Sequence, residues 1–82
     1  MGTKIAVIGG GSTYTPELVD GLARRTDRVP IDELVLLDID PERLEVVGGL
    51  ARRMLVRAEW PGTLITTLDR DLALEGADFV LI

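Results

Sequence analysis

The chain has no cysteine and no histidine. Without cysteine there is no disulfide framework and no thiolate metal site; without histidine as well, the usual zinc ligands are missing. Apolar stretches run to only a few residues, so none is long enough to span a membrane. Positive charge is also scarce. The 9 Lys+Arg against 14 Asp+Glu leave a net −5, which argues against a nucleic-acid surface made of this segment. Lys4 and a strand-like run follow Met1 at once, without the apolar stretch and small-residue cleavage site of a signal peptide. A cytoplasmic protein is the expectation.

What is present is ordinary globular composition, 46% hydrophobic and 28% charged over 82 residues. That length makes one small domain at most, and a marginal one on its own. Residues 77–82 (Ala-Asp-Phe-Val-Leu-Ile) read as an apolar strand bounded by Gly76 on one side only. A native domain seldom stops inside such a run, because strand edges are left unpaired. The expectation is therefore that residues 1–82 are the N-terminal part of a longer protein.

Residues 4–8 (Lys-Ile-Ala-Val-Ile) form a short apolar run before three glycines, the pattern of a strand buried on both faces. Thr15-Pro16-Glu17 then offers an N-cap, a proline at N1 and an acid, so a first helix starts at Thr15 or Pro16. Residues 27–32, with Pro30, are a polar connection. Leu34-Val35-Leu36-Leu37 is the second strand, and Asp40-Pro41-Glu42 starts a second helix whose apolar period continues to about Glu59. Residues 63–68 read as strand three, residues 69–75 as a short helix or turn, and Phe79 onward as strand four. Alternating strands and helices imply a parallel sheet with right-handed crossovers. The reading is an α/β fold: the first half of a Rossmann-type doubly wound parallel sheet, strand order 3-2-1-4, truncated after strand four.

The chemistry lies at the carboxyl end of the central strand, in Gly9-Gly10-Gly11-Ser12-Thr13. Glycines let a diphosphate approach the backbone, amides and the helix start favour anions, and Ser12 and Thr13 add hydroxyls. Gly9-x-Gly11 matches the first two glycines of the dinucleotide fingerprint, but Tyr14 stands where the third belongs. The late cap at Thr15 resolves this by leaving residues 12–14 as a longer loop. A glycine turn without a ligand is the bland alternative. Asp38 ends strand two, where a carboxylate can accept the hydroxyls of an adenosine ribose; a plain strand-end acid is the other reading. The nearest cation downstream is Arg43, so the site favours NAD over NADP. Asp40 and Asp69 are read as helix caps, with some room left for ligand contact at Asp69. Gly48-Gly49 point to close helix–sheet packing or a cofactor or subunit contact. Arg24-Arg25 and Arg52-Arg53 read as solvated faces, and Trp60 as packing at the helix end.

The run Ile5-Ala6-Val7-Ile8-Gly9-Gly10-Gly11-Ser12-Thr13-Tyr14-Thr15-Pro16-Glu17-Leu18 resembles the start of glycoside hydrolase family 4, in its 6-phospho-β-glucosidase branch. Leu37-Asp38-Ile39-Asp40, Gly48-Gly49-Leu50-Ala51-Arg52-Arg53-Met54 and Gly76-Ala77-Asp78-Phe79-Val80 continue the resemblance along essentially the whole chain. The Ser-Thr-Tyr-Thr-Pro segment is the more specific signal, since α-glycosidase members commonly lack it. The Gly-Ala-Asp segment also suits lactate and malate dehydrogenases.

The resemblance implies NAD and a divalent metal, commonly Mn²⁺, acting on a 6-phospho-β-glucoside or phosphorylated disaccharide. It implies oxidation at C3 of the sugar, loss of the C2 proton, elimination of the glycosidic oxygen, addition of water and return of the hydride. This family is an exception to two-carboxylate glycoside hydrolysis. The family's metal ligands are a Cys and a His, which this chain does not have, and its catalytic acid and base lie downstream of Ile82. The carried-over residues are cofactor-binding only: Gly9, Gly10, Gly11, Ser12, Thr13 and Asp38. The segment alone is expected to be inactive, and the full-length protein to be a homo-oligomer. A lactate/malate-type dehydrogenase and a non-catalytic nucleotide-binding module remain the competing readings.

Overall fold

The computed structural model describes residues 2–25, 28 and 30–82. Met1, Thr26, Asp27 and Val29 lie outside them, so part of the connection read at 27–32 does too. The elements are β1 (Lys4–Ile8), α1 (Thr15–Arg24), β2 (Glu33–Leu37), α2 (Pro41–Arg57), β3 (Thr63–Thr67), α3 (Arg70–Leu74) and β4 (Phe79–Leu81). All four strands are parallel, in the order β3-β2-β1-β4. Lys4 pairs with Glu33, Leu37 with Thr67 and Ile5 with Phe79, so the carboxyl ends of β1, β2 and β3 share one edge.

Side chains alternate across a strand, and here they feed two cores. Leu34 and Leu36, both fully buried, join Ile5, Val7 and Leu64 under Val19 of α1 and Leu44, Ala51 and Leu55 of α2. Each such leucine contributes about 1.5–3 kcal/mol by its burial. Val35 and Leu37 face the other side, where Ala73 of the short α3 covers them. That second layer is thin. Phe79, Val80 and Leu81 of the edge strand β4 remain exposed.

Local sequence explains most of the boundaries. The Asp40 carboxylate accepts from the Glu42 and Arg43 amides (3.1 and 3.2 Å), and Asp69 does the same for Asp71 and Leu72 (2.9 and 3.3 Å). Both are the N-caps that their sequence positions suggest. Helix α1 does begin at Thr15, but Thr15 is not its cap. The N-cap residue is Tyr14, in helical conformation without a side-chain bond, while the buried Thr15 hydroxyl donates back to the Gly10 carbonyl at 2.8 Å. Helix α2 stops at Arg57, two residues short of Glu59, because Glu59 takes a left-handed φ of 57°. The Trp60 amide reaches the Leu55 carbonyl and the Glu59 amide the Val56 carbonyl, a Schellman closure with Glu59 where glycine is usual. Trp60 packs against the core at that helix end.

Gly48 and Gly49 part company. A Cβ on Gly48 would lie 2.8 Å from the Thr66 methyl on β3, so this glycine is where α2 meets the sheet. A Cβ on Gly49 would meet only the tip of Arg53 at 3.4 Å, so the close-packing reading fails there.

Candidate functional site

The loop after β1 is held tightly by its own backbone. The Gly10 amide donates to the Leu37 carbonyl (2.7 Å), which ties the loop to the end of β2. The Ser12 amide donates to the Gly9 carbonyl (3.0 Å) and the Thr15 amide to the Ser12 carbonyl (3.1 Å), giving two successive turns. The Ser12 hydroxyl accepts from the Tyr14 amide at 3.2 Å. Among the described residues the Thr13 amide has no partner, and Thr13 is exposed. Tyr14 is 78% exposed, so it lies out of the helix–sheet interface that a third glycine would serve.

Each glycine of the loop has a different reason to be there. Gly9 has φ +79° with open space around its missing Cβ, a conformation that L side chains resist. A Cβ on Gly10 would sit 2.6 Å from the Leu36 Cβ and 2.9 Å from its Cα, so it is packed against β2. On Gly11 it would fall 2.7 Å from an Asp38 carboxylate oxygen and 2.8 Å from the Arg43 side chain.

Asp38 is 8% exposed, and both of its oxygens are engaged. Oδ1 accepts from the Asp40 amide at 3.0 Å, and Oδ2 from the Gly11 amide at 2.8 Å. The Asp40 amide is the main cause holding this carboxyl below the usual carboxylate pKa, against the opposing effect of burial. The Gly11 and Ile39 amides and the positive charge of Arg43 add to it. An ionised oxygen can accept two hydrogen bonds, so each still has capacity for a ligand hydroxyl. Asp38 thus joins the glycine loop to the start of α2, a role that its position in the sequence does not reveal.

Several clefts open at this edge, and two of them border Gly11 or Asp38. One, of about 490 Å³, lies between Gly11, Ser12 and Thr13 and the first turns of α2 at Arg43, Val46 and Val47. The other, of about 260 Å³, runs from Gly9 past Asp38 to Ile39, Leu68 and Arg70. The structure therefore brings Gly9, Gly10, Gly11, Ser12, Thr13 and Asp38 to one edge. It adds three residues that motif reading passes over, namely Ile39, Leu68 and Arg70. Their sequence signal is that they lie within three residues of the ends of strands two and three. Asp69 spends its carboxylate on capping α3 and does not line this cleft. The described residues contain no group of three or more His, Cys, Asp or Glu that could hold a metal. An anionic group can approach the loop at Gly9, which faces open space, and at the Thr13 amide and the Ser12 and Thr13 hydroxyls; a polyhydroxylated ring can reach Asp38 beside it.

Known proteins share this sequence and this arrangement. The model of a family described as family 4 glycosyl hydrolase matches residues 4–82. A probable 6-phospho-beta-glucosidase of Bacillus subtilis is 53% identical over 81 residues, which cover 96% of this chain and 18% of the relative. A 6-phospho-beta glucosidase from Thermotoga maritima, solved with manganese, NAD⁺ and glucose-6-phosphate, superposes with a TM-score of 0.85 at 37% identity, covering 95% of this chain and 19% of that one. A 6-phospho-alpha-glucosidase from gut microorganisms, solved with NAD and Mn²⁺, gives a TM-score of 0.91 at 30% identity, covering 98% and 18%. The chain thus spans about a fifth of the length of the proteins it matches.

Proposed function

Because the chain belongs to glycosyl hydrolase family 4, we propose that residues 1–82 are the N-terminal part of the NAD-binding Rossmann domain of a 6-phospho-β-glucosidase that uses NAD and a divalent metal such as Mn²⁺. The observation that carries this reading is the loop of residues 9–13. It stands at the carboxyl end of the central strand, with open space over Gly9 and a Thr13 amide that has no partner among the described residues. Such a loop suits a diphosphate, and Asp38 one strand over suits the adjoining ribose. A carboxylate kept ionised by two amides also repels a 2′-phosphate, which favours NAD over NADP. The two β-type relatives share more residues with the chain than the α-type structure does, and this supports the β assignment.

In this reading the diphosphate lies along the backbone of Gly9, Gly10 and Gly11, Ser12 and Thr13 donate to it, and Asp38 orients the ribose. Bound NAD supplies a reversible hydride acceptor, so a sugar carbon can be oxidised and restored while the net reaction stays hydrolytic. The chain's own task is binding and aim. The metal ligands and the catalytic acid and base belong to the remainder of the protein. The substrate is a 6-phosphoglucoside or a phosphorylated disaccharide, and the whole enzyme is a cytoplasmic homo-oligomer. No helix among the described residues is long and apolar enough to cross a membrane.

The test uses the full-length enzyme. Stripping NAD is expected to abolish hydrolysis of a chromogenic 6-phospho-β-glucoside, and re-adding NAD to restore it. Substrate deuterated at C2 is expected to exchange with solvent or react more slowly. Full activity without NAD and no effect at C2 would fit paired-carboxylate chemistry and end this reading.

A further inference from the structure

Helix α2 turns Leu44, Gly48, Ala51 and Leu55 inward. Its opposite face is not the wholly polar one of a solvated helix. Val46 is 66% exposed there and Leu50 39%. Leu50, Arg53, Met54 and Arg57 line a groove of about 190 Å³ along this face. Glu42 stands one turn before Val46 and is exposed as well. Among the described residues Glu42, Arg53 and Arg57 make no ion pair. We propose that this face of α2 is the contact surface for a second copy of the chain, whose own α2 lies antiparallel across it.

The proposal rests on the homo-oligomer reading above and follows from the order of residues along the helix. Positions 50, 53, 54 and 57 are spaced i, i+3, i+4 and i+7, the four-residue hole that receives one side chain of a facing helix. A two-fold contact is self-complementary: if residue i of one copy meets residue j of the other, j also meets i. Around an axis beside Leu50, position 46 meets position 53 and position 42 meets position 57. Val46 then enters the hole of the second copy, between Leu50 and Met54 and the aliphatic stems of Arg53 and Arg57. Glu42 falls opposite the Arg57 guanidinium. The stripe is acidic where it starts, apolar in the middle and basic where it ends, so antiparallel copies match at both ends. Parallel copies would set arginine against arginine. An unrelated acidic partner would suit the arginines alone and leave Glu42 and Val46 unmatched.

Sedimentation equilibrium of the full-length protein tests this. Glu42→Arg and Arg57→Glu each set like charges together at two symmetric places. Each is expected to raise the dissociation constant of the contact about 10-fold or more. The double variant Glu42→Arg/Arg57→Glu is expected to recover it. The two positions are roughly 22 Å apart on one helix, so recovery cannot arise within a single chain. Val46→Asp is expected to separate the copies while circular dichroism shows each still folded. Single variants of wild-type mass, or a double variant no better than the singles, would overturn the proposal. So would a Val46→Asp protein that melts lower without any change in mass, because the rest of the same chain would then cover this face. A monomeric wild type would end the homo-oligomer reading and the proposal with it. An oligomeric wild type indifferent to all these substitutions would end the proposal alone.

Discussion

Asp38 sits where the glycine loop, the end of β2 and the start of α2 meet, and its two amide bonds give it a structural role whatever it binds. Asp38→Asn preserves the shape but turns an NH₂ toward either the Gly11 or the Asp40 amide. We predict a loss of about 1–3 kcal/mol in unfolding free energy at pH 7, read by urea denaturation of the full-length protein. The pH dependence has a definite sign. A carboxyl whose folded pKa lies below its ordinary 3.8 contributes stability that is fully present above that value and lost as pH falls through the lowered one. The gap between wild type and Asp38→Asn is therefore expected to be flat from neutral pH down to about 5 and to narrow below 3.8. A gap that persists unchanged at pH 2 would count against the ionised state. Asp38→Ala should weaken NAD binding by roughly 1.5–3 kcal/mol at most, partly through the loop and partly through the ribose. Its place at the carboxyl edge was legible because strand two ends there. Its bond to Gly11 was not, since the partners are 27 residues apart and no local pattern joins them. Thr15 misled differently: it lies inside the helix after Tyr14, and its hydroxyl donates to the Gly10 carbonyl instead of accepting a first-turn amide.

At the scale of elements, the two adjacent glycines of α2 provide a contrast. Alanine in a helix interior gains about 1 kcal/mol over glycine. At Gly49 that gain is unopposed except by the movable end of Arg53, so Gly49→Ala is expected to raise the melting temperature. At Gly48 the new methyl would press on Thr66, whose β-branched side chain has little freedom to yield, so Gly48→Ala is expected to lower it. Equal shifts of the same sign would show that the helix is free to lift off the sheet. Glu59 offers a second check. Its left-handed backbone costs an L-residue about 1–2 kcal/mol, so Glu59→Gly is expected to stabilise by about 0.5–1 kcal/mol after the greater unfolded-state freedom of glycine is counted. The helix starts at Asp40 and Asp69 were readable because an N-cap is a local device, made within three residues. The difference between Gly48 and Gly49 depends on β3, which the helix sequence does not contain.

For the molecule as a whole, the sheet order was readable because β-α-β units have a single favoured handedness. The uneven covering was not, since α3 is only five residues long and the β4 side chains stay partly exposed among the described residues. In the proposed reading this chain supplies a cofactor-binding edge and the reacting groups lie in the rest of the enzyme, which sets its expected behaviour in isolation. Incubated with NAD, Mn²⁺, a reductant and a chromogenic 6-phospho-β-glucoside, residues 1–82 should release no chromophore above a protein-free control. Turnover that co-purifies with the fragment would mean that an acid, a base and a metal site are already present in it.

The pairing of β1 with β4 also governs how the chain must be made. The Lys4 amide donates to Asp78 Oδ2 and the Asp78 amide to the Lys4 carbonyl, joining positions 74 residues apart. Of these four strands β1 is made before the others, and its neighbour β4 is made after the other three. At ordinary translation speeds β1 waits about 4–15 s with that edge open. Nascent chains arrested before Asp78 should therefore be cut within β1 by a protease, and chains extended well past β4 should resist. Equal resistance would mean that β2 alone secures the first strand, and that the newborn chain has no such window for a chaperone to guard.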